Sequence, residues 1–192
     1  MANNRRTNTY DTLRNGYYII EFDDWRYEGE WVNGEKCGKG KIFYSSGDVY
    51  DGYMDRDKKN GMGSISYRIG GFYTGDWLDD AKYGLGEEEF LNGYKYNGGY
   101  VDGVFHGEGN WASEDSSYIY KGSFVEGRKT GWGNETMESG SFSGKFLNGL
   151  RHGKGKWSST KEGYEYNGDW FMGMREGYGV EYYIFQAEGG EG

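Results

Sequence analysis

Tyr27-Glu28-Gly29-Glu30-Trp31, followed by Gly34, Gly38 and Gly40, is a stretch whose pattern returns along the chain every 22 to 24 residues. With its first aromatic as position 0, the copies start at Tyr27, Tyr50, Tyr73, Tyr96, Tyr120, Phe142 and Tyr166. Position 2 is glycine in all seven (Gly29, Gly52, Gly75, Gly98, Gly122, Gly144, Gly168), and so are positions 11 and 13. Position 4 is aromatic in six copies, with Met54 in the other, and position 7 is Gly in five, with Asp57 and Asp80 substituting. Such a repeat decides the fold class, because one unit cannot bury its apolar side alone and stacks on its neighbours.

Side chains alternate along a strand, so Tyr27, Gly29 and Trp31 share a face opposite Glu28, Glu30 and Val32. The glycine-rich positions 7 to 11 read as a turn and position 13 as the start of a second strand, which makes each copy a β-hairpin. A second turn near position 20 uses Gly47, Gly70, Gly93 and Gly140, and Asn92-Gly93 suits a type I′ turn. Glycine weakens a strand, so the conserved spacing of positions 2 and 13 needs compensation. Aromatic rings lying over the missing Cβ atoms supply it. A helix is excluded by a cost of about 1 kcal/mol for each interior glycine. The expected fold is all-β: an elongated single-layer antiparallel sheet of stacked hairpins, rising about 10 Å per copy and roughly 70 Å long.

This pattern, Y-x-G-x-W-x-x-G-x-x-x-G-x-G, resembles the MORN (membrane occupation and recognition nexus) repeat over about four fifths of the chain. The expected organisation is a flexible arm at 1–15, an N-terminal half-repeat cap at 16–26, seven repeats at 27–183 and a flexible acidic tail at 184–192. Within the cap, Gly16, Tyr18 and Ile20 fit positions 13, 15 and 17 of a preceding copy. The terminal strand near Tyr182 and Tyr183 is an expected edge through which chains could self-associate.

Composition narrows the function. The 192 residues hold 37 Gly, no Pro, 22 Lys and Arg against 31 Asp and Glu, for a net charge of -9. That sign opposes nucleic acid and anionic membranes as partners. The single cysteine, Cys37, forms no intrachain disulfide and fits a reducing compartment. No apolar run is long enough for a secretory signal or a transmembrane helix.

Catalytic chemistry finds no foothold in the pattern. Cys37, His106 and His152 all occupy position 10 of their copies, at equivalent turns, so strand spacing separates them by about 30 Å and about 20 Å. General-base catalysis and zinc ligation both need direct contact. The expectation is no catalytic, cofactor or metal site. Gly38-x-Gly40 lacks the following helix of a phosphate loop. Glu87-Glu88-Glu89 and Asp79-Asp80 read as a solvated face rather than a cation or basic-peptide site. Only 26 residues precede the first copy and nine follow Tyr183, which is short for a catalytic domain.

The surface itself is what remains. The position 4 residues Trp31, Trp77, Tyr100, Phe124, Phe146 and Trp170 are the candidate partner-binding surface, because Tyr and Trp give large contact area at low entropic cost. The same rings could equally stack on one another as core. A second apolar stripe runs through position 5: Val32, Leu78, Val101, Val125, Leu147 and Phe171. The family resemblance implies a non-catalytic protein-interaction scaffold of a cytoskeletal or ciliary assembly, such as the radial-spoke head of an axoneme, in the cytoplasm. It also implies an alternative, a peripheral module that targets membrane phosphoinositides, which the net charge disfavours.

Overall fold

A computed structural model describes residues 15–183, which form two compact units with no helix among them. The first comprises 15–91 together with Tyr100–Gly103. It contains β1 (Gly16–Glu21), β2 (Trp25–Val32), β3 (Glu35–Tyr44), β4 (Val49–Asp55), β5 (Lys58–Ser66), β6 (Phe72–Leu78) and β7 (Ala81–Glu89). The second comprises Asn92–Gly99 and 104–183. Its strands are β8 (Lys95–Val101, whose last two residues pack with the first unit), β9 (Val104–Ala112), β10 (Tyr118–Val125), β11 (Arg128–Met137), β12 (Gly140–Leu147), β13 (Leu150–Ser159), β14 (Tyr164–Phe171) and β15 (Met174–Tyr183). Within each unit the sheet is antiparallel and its strand order is the chain order, the pattern that short hairpin connections impose.

The turn is tighter than the glycines suggest. Between β2 and β3 only Asn33 (φ 52°) and Gly34 (φ 82°) lie outside the strands, both left-handed as a type I′ turn requires. The same pair of positions, 6 and 7, has positive φ in every copy, including Asp79 (49°) with Asp80 (70°). The second strand therefore starts at position 8, not 13, and Gly38 (φ 71°) lies inside β3. Of Asn92-Gly93 only Gly93 has positive φ, so the expected I′ turn forms at Asn33-Gly34 and Asn148-Gly149 instead. From the second copy on, each turn is tied to the copy before it: the position 7 N–H donates to the position 9 carbonyl, as Asp80 does to Lys59 at 3.0 Å and Gly173 to Arg151 at 2.9 Å.

The rings lie over the glycines as the repeat implied. A Cβ on Gly63 would meet the Tyr50 ring at 2.7 Å, and one on Gly133 would meet Tyr120 at the same distance. The register slips by two residues just after position 2, at Gly52/Met54 and Gly168/Trp170 for example. A bulge leaves a carbonyl outside the ladder, and that group needs a partner. The ring hydroxyl supplies it: Tyr50 donates to the Tyr53 carbonyl at 2.8 Å, Tyr73 to Asp76 at 2.8 Å and Tyr166 to Asp169 at 2.9 Å. Burial pushes the phenols of Tyr50 and Tyr73 well above their ordinary pKa, and that of Tyr96 up to about 12.

At the front, β1 pairs with β2 so that Gly16 faces Trp31, Tyr18 faces Gly29 and Ile20 faces Tyr27. In full copies position 11 faces the next position 4 and position 13 faces the next position 2, as Gly38 faces Met54 and Gly40 faces Gly52. Gly16 and Tyr18 thus occupy positions 11 and 13, a two-residue correction to the expected 13 and 15. The physical reason is that position 13 must be glycine only under its own copy's ring, and among the described residues no such ring precedes Tyr18. Most of the expected arm at 1–15 and all of the expected tail at 184–192 lie outside the described residues.

Candidate interaction surface

The position 4 aromatics are core, not an open groove. Trp31, Trp77, Tyr100, Phe124, Phe146 and Trp170 are all buried, with Trp77 the least so at 6% exposure. The position 0 rings of Tyr73, Tyr120 and Phe142 each meet the position 4 ring of their own copy and that of the next, edge to face. In the first unit the line runs Tyr50, Trp77, Tyr73, Tyr100, with centroids 5.2 to 5.4 Å apart. In the second, Tyr96, Phe124, Tyr120, Phe146, Phe142, Trp170 and Tyr166 continue at 5.0 to 5.6 Å. Such contacts contribute about 0.5–1.5 kcal/mol each beyond burial. A partner therefore cannot use these rings as its contact surface without opening the stack.

A row of cations covers the rings, and the sequence reading missed it although the signal is regular. Position 9 is Lys36, Lys59, Lys82, Lys129, Arg151 or Arg175 in six copies. Each lies over aromatic faces: Lys82 Nζ is 4.8 Å from the Tyr73 centroid, Lys129 is 4.7 Å from Tyr120, and Arg151 is 4.6 Å from Trp157. Aliphatic stems and cation–π attraction together shield the ring face from water. In the fourth copy Phe105 takes this place and stacks on Tyr96 at 3.9 Å.

Two carboxylates point inward to meet this row. Glu88, the middle of the acidic run, is 7% exposed, ion-paired to Lys82 and hydrogen-bonded by the Tyr100 hydroxyl at 2.9 Å. Its inward aim corrects the expected solvated face and follows from strand alternation, which puts Glu87 and Glu89 on the other side. Glu135 accepts from Lys129 at 2.6 Å, from Tyr118 at 2.7 Å, and from Arg151 Nε and Nη2 at 3.0 and 2.8 Å. Burial opposes its charge, but these donors prevail and hold the carboxyl below its usual pKa. Asp79 pairs with Lys58 at 3.2 Å, and Asp80 accepts the Lys59 backbone N–H at 2.9 Å.

The second stripe stays open. Val32, Leu78, Val125, Leu147 and Phe171 are exposed, and Val101 is half-buried. All flank the two-residue turns, where no following strand covers them. Farther along the second unit a hollow of about 520 Å³ opens over Trp157, Tyr164 and Trp170 between Arg151 and Arg175. Cys37, His106 and His152 lie in β3, β9 and β13 rather than in turns, because the turns are so short. Among the described residues no three His, Cys, Asp or Glu side chains gather as a metal site would need. Likewise, no described helix is long and apolar enough to cross a membrane.

Against known families, the MORN repeat model matches at 27–49, 50–72, 96–117, 142–163 and 166–184, more than half of the chain. The chain belongs to the MORN-repeat family. MORN repeats are protein-interaction or membrane-associated modules, in general without catalytic machinery. One solved structure, the wild-type TCP10 domain of Danio rerio CPAP in complex with a peptide of Danio rerio STIL, is similar over 82% of this chain and 86% of its own. Identity is 13% and the TM-score 0.25, too low to inform either fold or function.

Proposed function

We propose that this MORN-repeat chain is a non-catalytic scaffold that binds other proteins within a cytoskeletal or ciliary assembly of the cytoplasm, as a radial-spoke-head component of an axoneme would. The observation that carries the reading is a division of labour inside each copy. Positions 0, 2, 4, 9, 11 and 13 are spent on internal packing, whereas the turn-flanking position 5 is apolar in six copies and exposed in five. Exposed apolar residues flanked by polar ones are raw material for protein contacts.

All seven copies count as repeats in this reading. Those starting at Tyr73 and Tyr120 fall outside the segments matched by the family model, yet they keep both facing glycine pairs, Gly75 with Gly86 and Gly122 with Gly133.

Cross-linking mass spectrometry on the intact chain in cell extract tests the reading. Axonemal or other cytoskeletal proteins should be joined near Val32, Leu78, Val125, Leu147 and Phe171. Contacts that avoid those residues would remove the surface assignment. Sedimentation with phosphoinositide liposomes at physiological salt covers the membrane-targeting alternative, and strong binding there would replace the scaffold reading.

A further inference from the structure

Five of the six position 9 cations have a carboxylate beside them. Lys36 pairs with Asp57 at 3.1 Å, Lys82 with Glu88, Lys129 with Glu135 at 2.6 Å, Arg151 with the same Glu135 at 2.8 Å, and Arg175 with Glu181 at 2.7 Å. Lys59 departs from this rule. Six residues on, where Lys82, Lys129 and Arg175 find glutamate, it has Ile65, which is 8% exposed. The neighbouring Asp80 carboxylate is engaged by the Lys59 backbone N–H. Among the described residues no carboxylate oxygen lies within ion-pairing distance of Lys59 Nζ.

The ammonium is nonetheless held in place. Ring centroids of Trp77, Tyr50 and Tyr44 lie 5.0, 5.6 and 5.7 Å away, and the side chain is half-buried. Cation–π attraction fixes the charge but gives the N–H groups no oxygen acceptor. Burial accordingly lowers the pKa of Lys59, with Asp80 acting in the opposite sense.

We propose that Lys59 is a receiving site for a carboxylate, supplied by an aspartate or glutamate in an acidic segment of a protein partner. The proposal rests on the scaffold reading and adds a specific point of contact to it. An incoming carboxylate makes the charge-assisted hydrogen bond that Glu88 and Glu135 make in their own copies. Little ordering entropy is lost, because the rings already orient the ammonium. The protein's net charge of -9 repels acidic chains in general, so recognition is local and selects a short segment. Salt screens that long-range repulsion more than it screens a half-buried pair.

The test uses the intact chain with isotope-labelled lysine, its ammonium resonances assigned through Lys59→Arg. A short Glu-Gly repeat peptide, its Gln-Gly counterpart and inositol hexakisphosphate are titrated separately. The expected result is a saturable shift at Lys59 from the glutamate peptide alone. That shift should vanish in Lys59→Gln, and also in Ile65→Glu, which supplies from within the carboxylate that the site lacks. Amide spectra establish that each variant is folded, and Lys59→Gln suffices should Ile65→Glu unfold. Equal shifts at Lys59, Lys82 and Lys129, or binding unchanged in folded Ile65→Glu, would overturn the proposal. A stronger response to inositol hexakisphosphate would overturn it in favour of a phosphate ligand. Protein cross-links at position 5 alongside a silent Lys59 would leave the scaffold reading standing and remove only this site.

Discussion

A Cβ built on Gly75 would stand 2.6 Å from the hydroxyl oxygen of Tyr73, in the same strand, and 2.5 Å from the Leu85 carbonyl across the ladder. The ring occupies the space that any other residue would need, and backbone on the far side leaves no room to yield. Gly75→Val should therefore cost about 3 kcal/mol or more, as overpacking does. Glu30→Val, on the exposed opposite face, should stay within about 0.5 kcal/mol. Equal melting temperatures for the two variants would remove the ring-over-glycine account.

Glycine at position 7 is a different case. A Cβ on Gly127 meets nothing within 4 Å, and its φ of 74° is close to the 70° that Asp80 adopts. Gly127→Asp should cost no more than about 1 kcal/mol, since Asp tolerates the left-handed region. Urea unfolding of this variant beside Gly75→Val separates a need for backbone conformation from a need for space.

Lys82 and Glu88 should behave as a unit. Lys82→Met leaves a buried carboxylate short of its cation, at a cost of about 3–5 kcal/mol. Adding Glu88→Met to Lys82→Met should recover most of that loss, because neither charge then remains buried. A double-mutant cycle by chemical denaturation measures the coupling, and additive losses would show that the pair is not coupled.

Acid should weaken the second unit through Glu135. Its folded-state pKa lies below the ordinary carboxylate value, so the stabilisation is fully present above that value and fades as pH falls through the folded one. Glu135→Gln should be less stable than the parent at neutral pH and lose less on acidification. Parallel stability profiles for the two proteins from neutral pH downward would show that Glu135 is not the source.

The tyrosine hydroxyls offer a built-in comparison. Phe142 stands at position 0 without one, whereas Tyr73 donates to the Asp76 carbonyl at 2.8 Å. Tyr73→Phe should cost about 1 kcal/mol, the net value of such a bond with its acceptor left beside a bulge. Thermal unfolding reads the difference, and an unchanged midpoint would mean that water satisfies that carbonyl equally well.

Much of this architecture is legible in the stretch from Tyr27 to Gly40. Period-two alternation assigned Tyr27, Gly29 and Trp31 to one face, and the recurring glycines implied rings above them, because both are local consequences of strand geometry. The sequence alone thereby determined an all-β chain of hairpins. It could not decide whether Trp31, Trp77 and their equivalents face a partner or one another, since a ring's burial depends on residues supplied by other copies. Tertiary structure decided that: neighbouring rings meet edge to face and the position 9 cations close over them. It also turned Glu88 and Glu135 inward, moved Tyr18 into position 13 where no ring forbids it, and left Lys59 without the carboxylate its counterparts have. Each of these depends on which side chains come together across strands, and the repeat spacing specifies positions without specifying those meetings.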